Sequence, residues 1–368
     1  MSTQIEFPEF YQGIYQRTQP AYGPLIAEAI ERLRTTPVPR HFRPFLGYMV
    51  WENPQPSFIL LPFMYLATAE ASGGITQRHK DYLPTIMLTA ELCAVADDTV
   101  DRALHRSGRM TFPARFGDAS SVPMAGALLS MILERSRGNE ALFDAVRSFY
   151  MDLFALELWE REHAYADPAL FDTWLEHRYE QAIVATGWAL NSALILSDRP
   201  LWPRAAVAPL AQIGQDVDDI VNLIEYRESD GENDDLQSGI VTRPLIYAIR
   251  EVPELADDVV ELWAQHSALA SRQLPIAELQ ARRAEITRAT LPLYASIRRV
   301  ILQRGVPLAV KQCLVEYEAS VRESPPSLRP LMSDLSSAFL DRLRRCRYFD
   351  LDVEVGAAAC ERIAAELG

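Results

Sequence analysis

One stretch limits the fold more than any other: Glu91-Leu-Cys-Ala-Val-Ala-Asp97-Asp98-Thr-Val-Asp101, near the end of an apolar run over residues 80–104. A run of that length without β-branched alternation predicts a buried helix, not a strand. It ends in three carboxylates. A second stretch of the same kind, Gln215-Asp216-Val-Asp218-Asp219-Ile-Val-Asn222, comes later in the chain.

The helical pattern extends almost throughout. Residues 22–35 place apolar groups at i, i+3, i+4 spacing, and Pro37 and Pro39 end that helix. An amphipathic run begins near Phe42, and residues 56–72 read as a buried helix. Gly108 to Pro113 reads as a loop. Helices then cover 116–136, 140–165 and 170–197, and another runs from Pro200 and Pro203 to about Arg227. Residues 228–239 are acidic and rich in turn formers, which predicts a mobile surface loop. The remainder is helical, with breaks at Pro253, Pro275, Gly305 and Pro325-Pro326. No repeat, convincing strand pair or interdomain linker stands out. The expectation is an all-α fold, one domain over residues 1–368, with helices around a central cavity.

Composition removes several classes of function. The chain has 368 residues and a net charge of -14, with no basic stripe, so nucleic acid is not an expected partner. Cys93, Cys313, Cys346 and Cys360 are scattered, with no Cys-x-x-Cys, so neither zinc nor a disulfide framework is expected. The N-terminus lacks a basic region followed by an apolar one, and no apolar run is long enough to span a bilayer. The expectation is a cytoplasmic protein without membrane insertion.

The acids carry the chemistry. Residues i and i+4 lie one above the other on a helix. Asp97 and Asp101 are so spaced, with Asp98 beside them; Asp218 and Asn222 repeat the spacing, with Asp219 beside them. Like charges stacked at the edge of an apolar helix need a counterion, and a hard divalent cation with oxygen ligands supplies one. Magnesium favours one or two carboxylates plus substrate phosphate oxygens. Two such clusters facing each other across the cavity would hold a diphosphate through Mg²⁺, while the cavity takes its hydrocarbon tail.

These residues resemble the trans-prenyl diphosphate synthases and the class I terpene synthases that share their fold, over residues 38–250; residues 251–368 form a helical C-terminal part. The resemblance rests on Asp97-Asp98-Thr-Val-Asp101 followed by Arg106 and Gly108, on Phe116-Gly117 and Ala125-Gly126, and on Gln215 before Asp218-Asp219-Ile-Val-Asn222. Asp235-Leu236 and Thr242-Arg243-Pro244 continue it. It implies an isoprenoid-synthase-type bundle. It also implies Mg²⁺, three ions with the substrate diphosphate, held by Asp97, Asp98, Asp101, Asp218, Asp219 and Asn222. Of these, Asp97, Asp98 and Asp218 are the catalytic candidates.

The departures from the family pattern shape the functional expectation. Chain-elongating members bind isopentenyl diphosphate with a Gly-Lys-x-x-Arg segment, a Gln or His seven residues before the first motif, and an arginine pair after it. Here these positions are Pro39-Arg40-His-Phe-Arg43, Ala90, and His105-Arg106. Family lysines on the allylic side correspond to Ala185, Glu232 and Ile240. Arg40, Arg43 and Arg106 remain as diphosphate ligands. Arg178, two turns before Ala185, and the pair Arg347-Tyr348 are candidates to replace the lost cations. Leu92 and Cys93, below the first motif, leave room for a C15–C20 tail.

The resemblance with these losses implies a class I terpene synthase that ionises one allylic prenyl diphosphate. The alternatives are a prenyl diphosphate synthase or prenyltransferase with a divergent second-substrate site, and a non-catalytic regulatory subunit. A homodimer is compatible with all three.

Overall fold

The computed structural model describes residues 12–52, 60–106, 109–225, 235–270, 274–346 and 353–367. Helices dominate, as the periodicity predicts. In chain order they are α1 (Gln12–Thr35), α2 (Arg43–Val50), α3 (Leu60–Ala71), α4 (Gln77–Val100), α5 (Phe112–Phe116), α6 (Asp118–Ser136), α7 (Glu140–His163), α8 (Phe171–Leu196) and α9 (Arg204–Glu225). They continue with α10 (Arg243–Glu251), α11 (Leu255–Ala270), α12 (Ile276–Val300), α13 (Val306–Glu323), α14 (Arg329–Arg345) and α15 (Val353–Glu366). Among the described residues none is long and apolar enough to cross a membrane.

Two expectations need correction. A strand pair does exist: β1 (His105–Arg106) and β2 (Arg109–Met110) form a small antiparallel hairpin, with Arg106 opposite Arg109. Strands of two residues are too short to show alternation. Gly305 does not break its helix either. A π turn over Ile301–Gly305 carries α12 into α13. Gly305 is needed there because a Cβ would lie 1.9 Å from the Pro244 carbonyl oxygen on α10.

The chain divides into two compact units that alternate along the sequence. The first comprises Met1–Glu157, Ile183–Ala208 and Val321–Ala338; the second comprises Leu158–Ala182, Pro209–Ser320 and Phe339–Gly368. In the first unit α4 is the central helix, packed by α1, α3, α5 and α6. Its start is fixed at Thr76, whose backbone N–H donates to His79 Nδ1 (3.0 Å). That bond leaves the proton on Nε2, which faces the Ala193 carbonyl (3.2 Å). From Tyr82 through Leu92 α4 is buried, with Tyr82, Leu83, Ile86, Met87 and Leu88 at most 5% exposed. In the second unit α10 packs on the π turn and on α11, and α11 on α12. Both acidic stretches therefore lie on well-buried helices, α4 in one unit and α9 in the other.

Candidate active site

Successive helical residues are turned about 100° from each other, so Asp97 and Asp98 cannot share a face. The structure shows the consequence. Asp98 turns inward and is 4% exposed. Asp97 is half-buried and Asp101 is exposed. The helix closes tightly under them. The Asp101 N–H donates to the Asp97 carbonyl (2.9 Å) and the Ala103 N–H to the Asp98 carbonyl (3.0 Å), with Arg102 between them at φ 53°. This is a Schellman closure, usually made with glycine. An arginine in that left-handed conformation costs about 1 kcal/mol.

The closure feeds the hairpin. Thr111 ties its base: the hydroxyl donates to the Ala103 carbonyl (2.6 Å) and the backbone N–H to the Leu104 carbonyl (2.9 Å). The hairpin then delivers Arg106 to the acids. Its Nε donates to Asp98 Oδ1 (2.8 Å), and its Nη2 donates to Asp97. Burial pushes the Asp98 carboxyl up to about 6, opposed by the Arg106 charge. Two turns earlier on α4, Glu91 is 5% exposed. Burial, with the Asp98 charge adding to it, pushes its carboxyl up to about 8. Its Oε1 has no hydrogen-bond partner. Glu91 is not among the sequence-predicted site residues; a lone acid inside an apolar helical run is the signal for it.

The second cluster repeats the pattern at greater depth. On α9, Asp218 is exposed and Asn222 half-buried, while Asp219 turns inward at 2%. Asp219 Oδ1 accepts from Arg178 Nη2 (2.7 Å), from Arg178 Nε (3.3 Å) and from Gln215 Nε2 (2.8 Å). Arg178 also reaches Asp235 (3.3 Å) and Glu160 (3.7 Å). Asp219 Oδ2 is buried with no hydrogen-bond partner. Beside it lies a small cleft lined by Asp219, Asp235, Thr242, Ile240, Leu245 and Ile301, among others. Ile240, where the family resemblance expects a lysine, therefore presents an apolar side chain to two carboxylates.

A further network, unforeseen from sequence, anchors α9. Asp216 is fully buried and accepts from Tyr179 (2.5 Å). It also pairs with Arg243 (2.8 Å), which pairs in turn with Glu316 (2.7 Å). Arg178 and Tyr179, neighbours on α8, thus grip Asp219 and Asp216, one turn apart on α9. One arginine faces two buried acids, and burial pushes both the Asp216 and the Glu316 carboxyls up. The signal was present in Arg243, a charge set between Thr242 and Pro244 on an otherwise apolar helix start.

The other predicted residues fall as follows. Arg40 and Arg43 are exposed, and Arg43 donates to the Arg34 carbonyl at the end of α1. Leu92 is fully buried and Cys93 half-buried; burial pushes the Cys93 thiol up. Arg347 and Tyr348 lie outside the described residues, as do Gly108 and Glu232. Within its own unit, then, each acidic stretch is joined to one predicted arginine: Arg106 to Asp97 and Asp98, and Arg178 to Asp219.

Among the described residues no three His, Cys, Asp or Glu side chains are grouped as a metal site. The donor set still fits a hard cation. It is all oxygen, and Asp219 Oδ2 is a buried carboxylate oxygen that accepts no hydrogen bond from the protein.

Fold and acid clusters together define an isoprenoid-synthase-type protein, and comparison with known proteins agrees. Residues 60–273 match the polyprenyl synthetase family. The chain belongs to that family. Among solved structures it is similar to a decaprenyl diphosphate synthase from Rhodobacter capsulatus, at 18% identity and TM-score 0.65, over 90% of this chain and 99% of that one. It is similar to a heptaprenyl diphosphate synthase from Staphylococcus aureus, at 14% identity and TM-score 0.64, over 86% and 97%. A polyprenyl synthase from Caulobacter crescentus, complexed with calcium and isoprenyl diphosphate, aligns at 17% identity and TM-score 0.59, over 90% and 96%. At these identities the likeness establishes the fold. No curated protein matches by sequence.

Proposed function

We propose that this protein is a magnesium-dependent prenyltransferase of the prenyl diphosphate synthase type. It activates an allylic prenyl diphosphate and passes the prenyl group to a second substrate, isopentenyl diphosphate in the first instance. This reading takes the place of the terpene synthase expectation. Family membership supports it, as do solved relatives that are prenyl diphosphate synthases. The single observation that carries it is the repeated acid cluster, in which one aspartate turns inward onto an arginine and an i, i+4 pair stays more open.

In this reading Asp97, Asp98 and Asp101, with Asp218, Asp219 and Asn222, hold the cations. Bound magnesium supplies neutralisation of the diphosphate as its bond to the prenyl carbon weakens. The remaining work belongs to the chain. Arg106 and Arg178 hold Asp98 and Asp219 in place and offer N–H donors to diphosphate oxygens. Arg40, Arg43, Arg347 and Tyr348 are further diphosphate ligands. Leu92 and Cys93 border the prenyl tail, and an apolar surround keeps water from the activated carbon. The soluble, cytoplasmic and homodimeric aspects of the expectation belong to the same proposal.

A second reading keeps the terpene synthase alive, and one observation favours it. Ala90 and Ile240, where condensing enzymes hold polar or cationic contacts, are here apolar; Ala90 is 7% exposed and Ile240 lines the cleft beside Asp219. The test is incubation with geranyl, farnesyl and geranylgeranyl diphosphates and Mg²⁺, with and without isopentenyl diphosphate. A longer diphosphate formed only with isopentenyl diphosphate is the expected product. Hydrocarbon or alcohol from one allylic diphosphate alone would transfer the case to the second reading. No turnover in any mixture would favour a non-catalytic subunit.

A further inference from the structure

Near the C-terminus, two thiols meet that sequence spacing gave no reason to pair. Cys346 directly follows α14, and Cys360 lies on α15. Their Sγ atoms are 3.9 Å apart across a sequence separation of 14 residues. Neither is in a disulfide. A disulfide bond is about 2.04 Å long, so the sulfurs need to approach by a little under 2 Å, within the reach of side-chain rotation and a small helix shift. The other two cysteines have different surroundings. Cys93 is on α4 in the other unit, and Cys313 is buried against Asp216 (3.8 Å). The contact therefore singles out one pair.

The surroundings of the pair are specific. One turn before Cys346, Arg342 makes a two-pronged ion pair with Glu225, the last residue of α9. The hydrogen bond with Cys360 and burial both push the Cys346 thiol up. Cys346 is buried and Cys360 half-buried. An external reagent therefore meets Cys360 first, and Cys346 is placed to resolve the adduct.

We propose that Cys346 and Cys360 are a redox-active pair that closes a reversible intrachain disulfide between α14 and α15. The oxidant is a low-molecular-weight disulfide. The Cys360 thiolate attacks one of its sulfurs, forming a mixed disulfide and releasing one small thiolate. The Cys346 thiolate then attacks Cys360 Sγ and expels the second. The two protons given up by the cysteines end on the two released thiols, and the protein is oxidised as the reagent is reduced. The closed bond fixes α15 to the helix whose Arg342 holds the end of α9. It acts chiefly by restricting the unfolded chain. This inference does not depend on which prenyl reaction the protein carries out.

The experiment uses the full chain. It is equilibrated with oxidised and reduced glutathione, blocked, and mapped by mass spectrometry without reduction. The expected result is a Cys346–Cys360 cross-linked peptide in a protein two hydrogens lighter, reversed by dithiothreitol. The thermal midpoint of the oxidised form should rise by about 5 °C. Both effects should vanish in Cys360→Ser, and Cys346→Ser should carry a glutathione adduct at Cys360. Because Cys346 is buried and its replacement risks misfolding, the wild-type map and Cys360→Ser decide the matter alone. Separate glutathione adducts without the cross-link would overturn the proposal. So would a cross-link to Cys93 or Cys313, or an oxidised form that melts no higher.

Discussion

The two acid clusters are built alike and set at different depths. On α4, Arg106 reaches Asp97 and Asp98 from a hairpin; the Arg106 and Asp97 side chains are 38% and 36% exposed, and only Asp98, at 6%, is buried. On α9, Arg178 reaches Asp219 from a neighbouring helix; the two side chains are 10% and 0% exposed. Arg106 serves two acids, whereas Arg178 serves three from separate segments, Glu160, Asp219 and Asp235. The same chemistry therefore carries different weight. An ion pair near water is worth little, because solvent screens it. A buried acid stripped of its partner is expensive. Arg178 should thus contribute more to stability than Arg106.

The largest effect should follow from breaking the deep cluster. Arg178→Met leaves Asp219 and its companions without their cation and should lower unfolding stability by about 3–5 kcal/mol, read from denaturant midpoints at neutral pH. Next comes the titration of the α4 cluster. Glu91 in the folded protein holds its proton up to about pH 8, against 4.5 ordinarily. The folded state thus binds a proton that the unfolded chain releases. That contribution is full below about pH 4.5 and is lost as pH rises towards 8. Wild-type stability should therefore fall across that range by a few kcal/mol more than that of Glu91→Gln. Parallel curves for the two would remove Glu91 from the account. Arg106→Met should cost less, about 2 kcal/mol by the same denaturant assay, because Asp97 and the guanidinium meet water while Asp98 is left buried without its partner. A loss equal to that of Arg178→Met would erase the contrast in depth. The smallest change is Arg102→Gly, which relieves the left-handed backbone after Asp101 and should raise stability by about 1 kcal/mol or less.

Much of this is legible in the sequence. Apolar periodicity located α4 and α9, and proline placed several of the helix ends, because both act within a few residues. Local rules failed where the cause is distant. Gly305 looks like a break, yet its lack of a side chain serves contact with Pro244, and the helix continues as a π turn. Arg178 was placed on a useful helix, but Asp235 and Glu160 are 57 and 18 positions away and no pattern joins them to it. The inward turn of Asp98 and Asp219 follows from helix geometry alone. It was obscured by treating three acids as one equivalent set. Asp216, Arg243 and Glu316 were missed because charges inside apolar helices are ordinarily paired only by tertiary structure.

The central claim is that both clusters take divalent cations together with a diphosphate, with the inward aspartates as required ligands. Isothermal titration of Mg²⁺ into wild type, Asp98→Asn and Asp219→Asn, each with and without inorganic diphosphate, tests it most directly. The account predicts clear Mg²⁺ binding to wild type when diphosphate is present, and its loss by at least tenfold in each variant, with folding verified by circular dichroism. Folded variants that bind Mg²⁺ and diphosphate as tightly as wild type would contradict it.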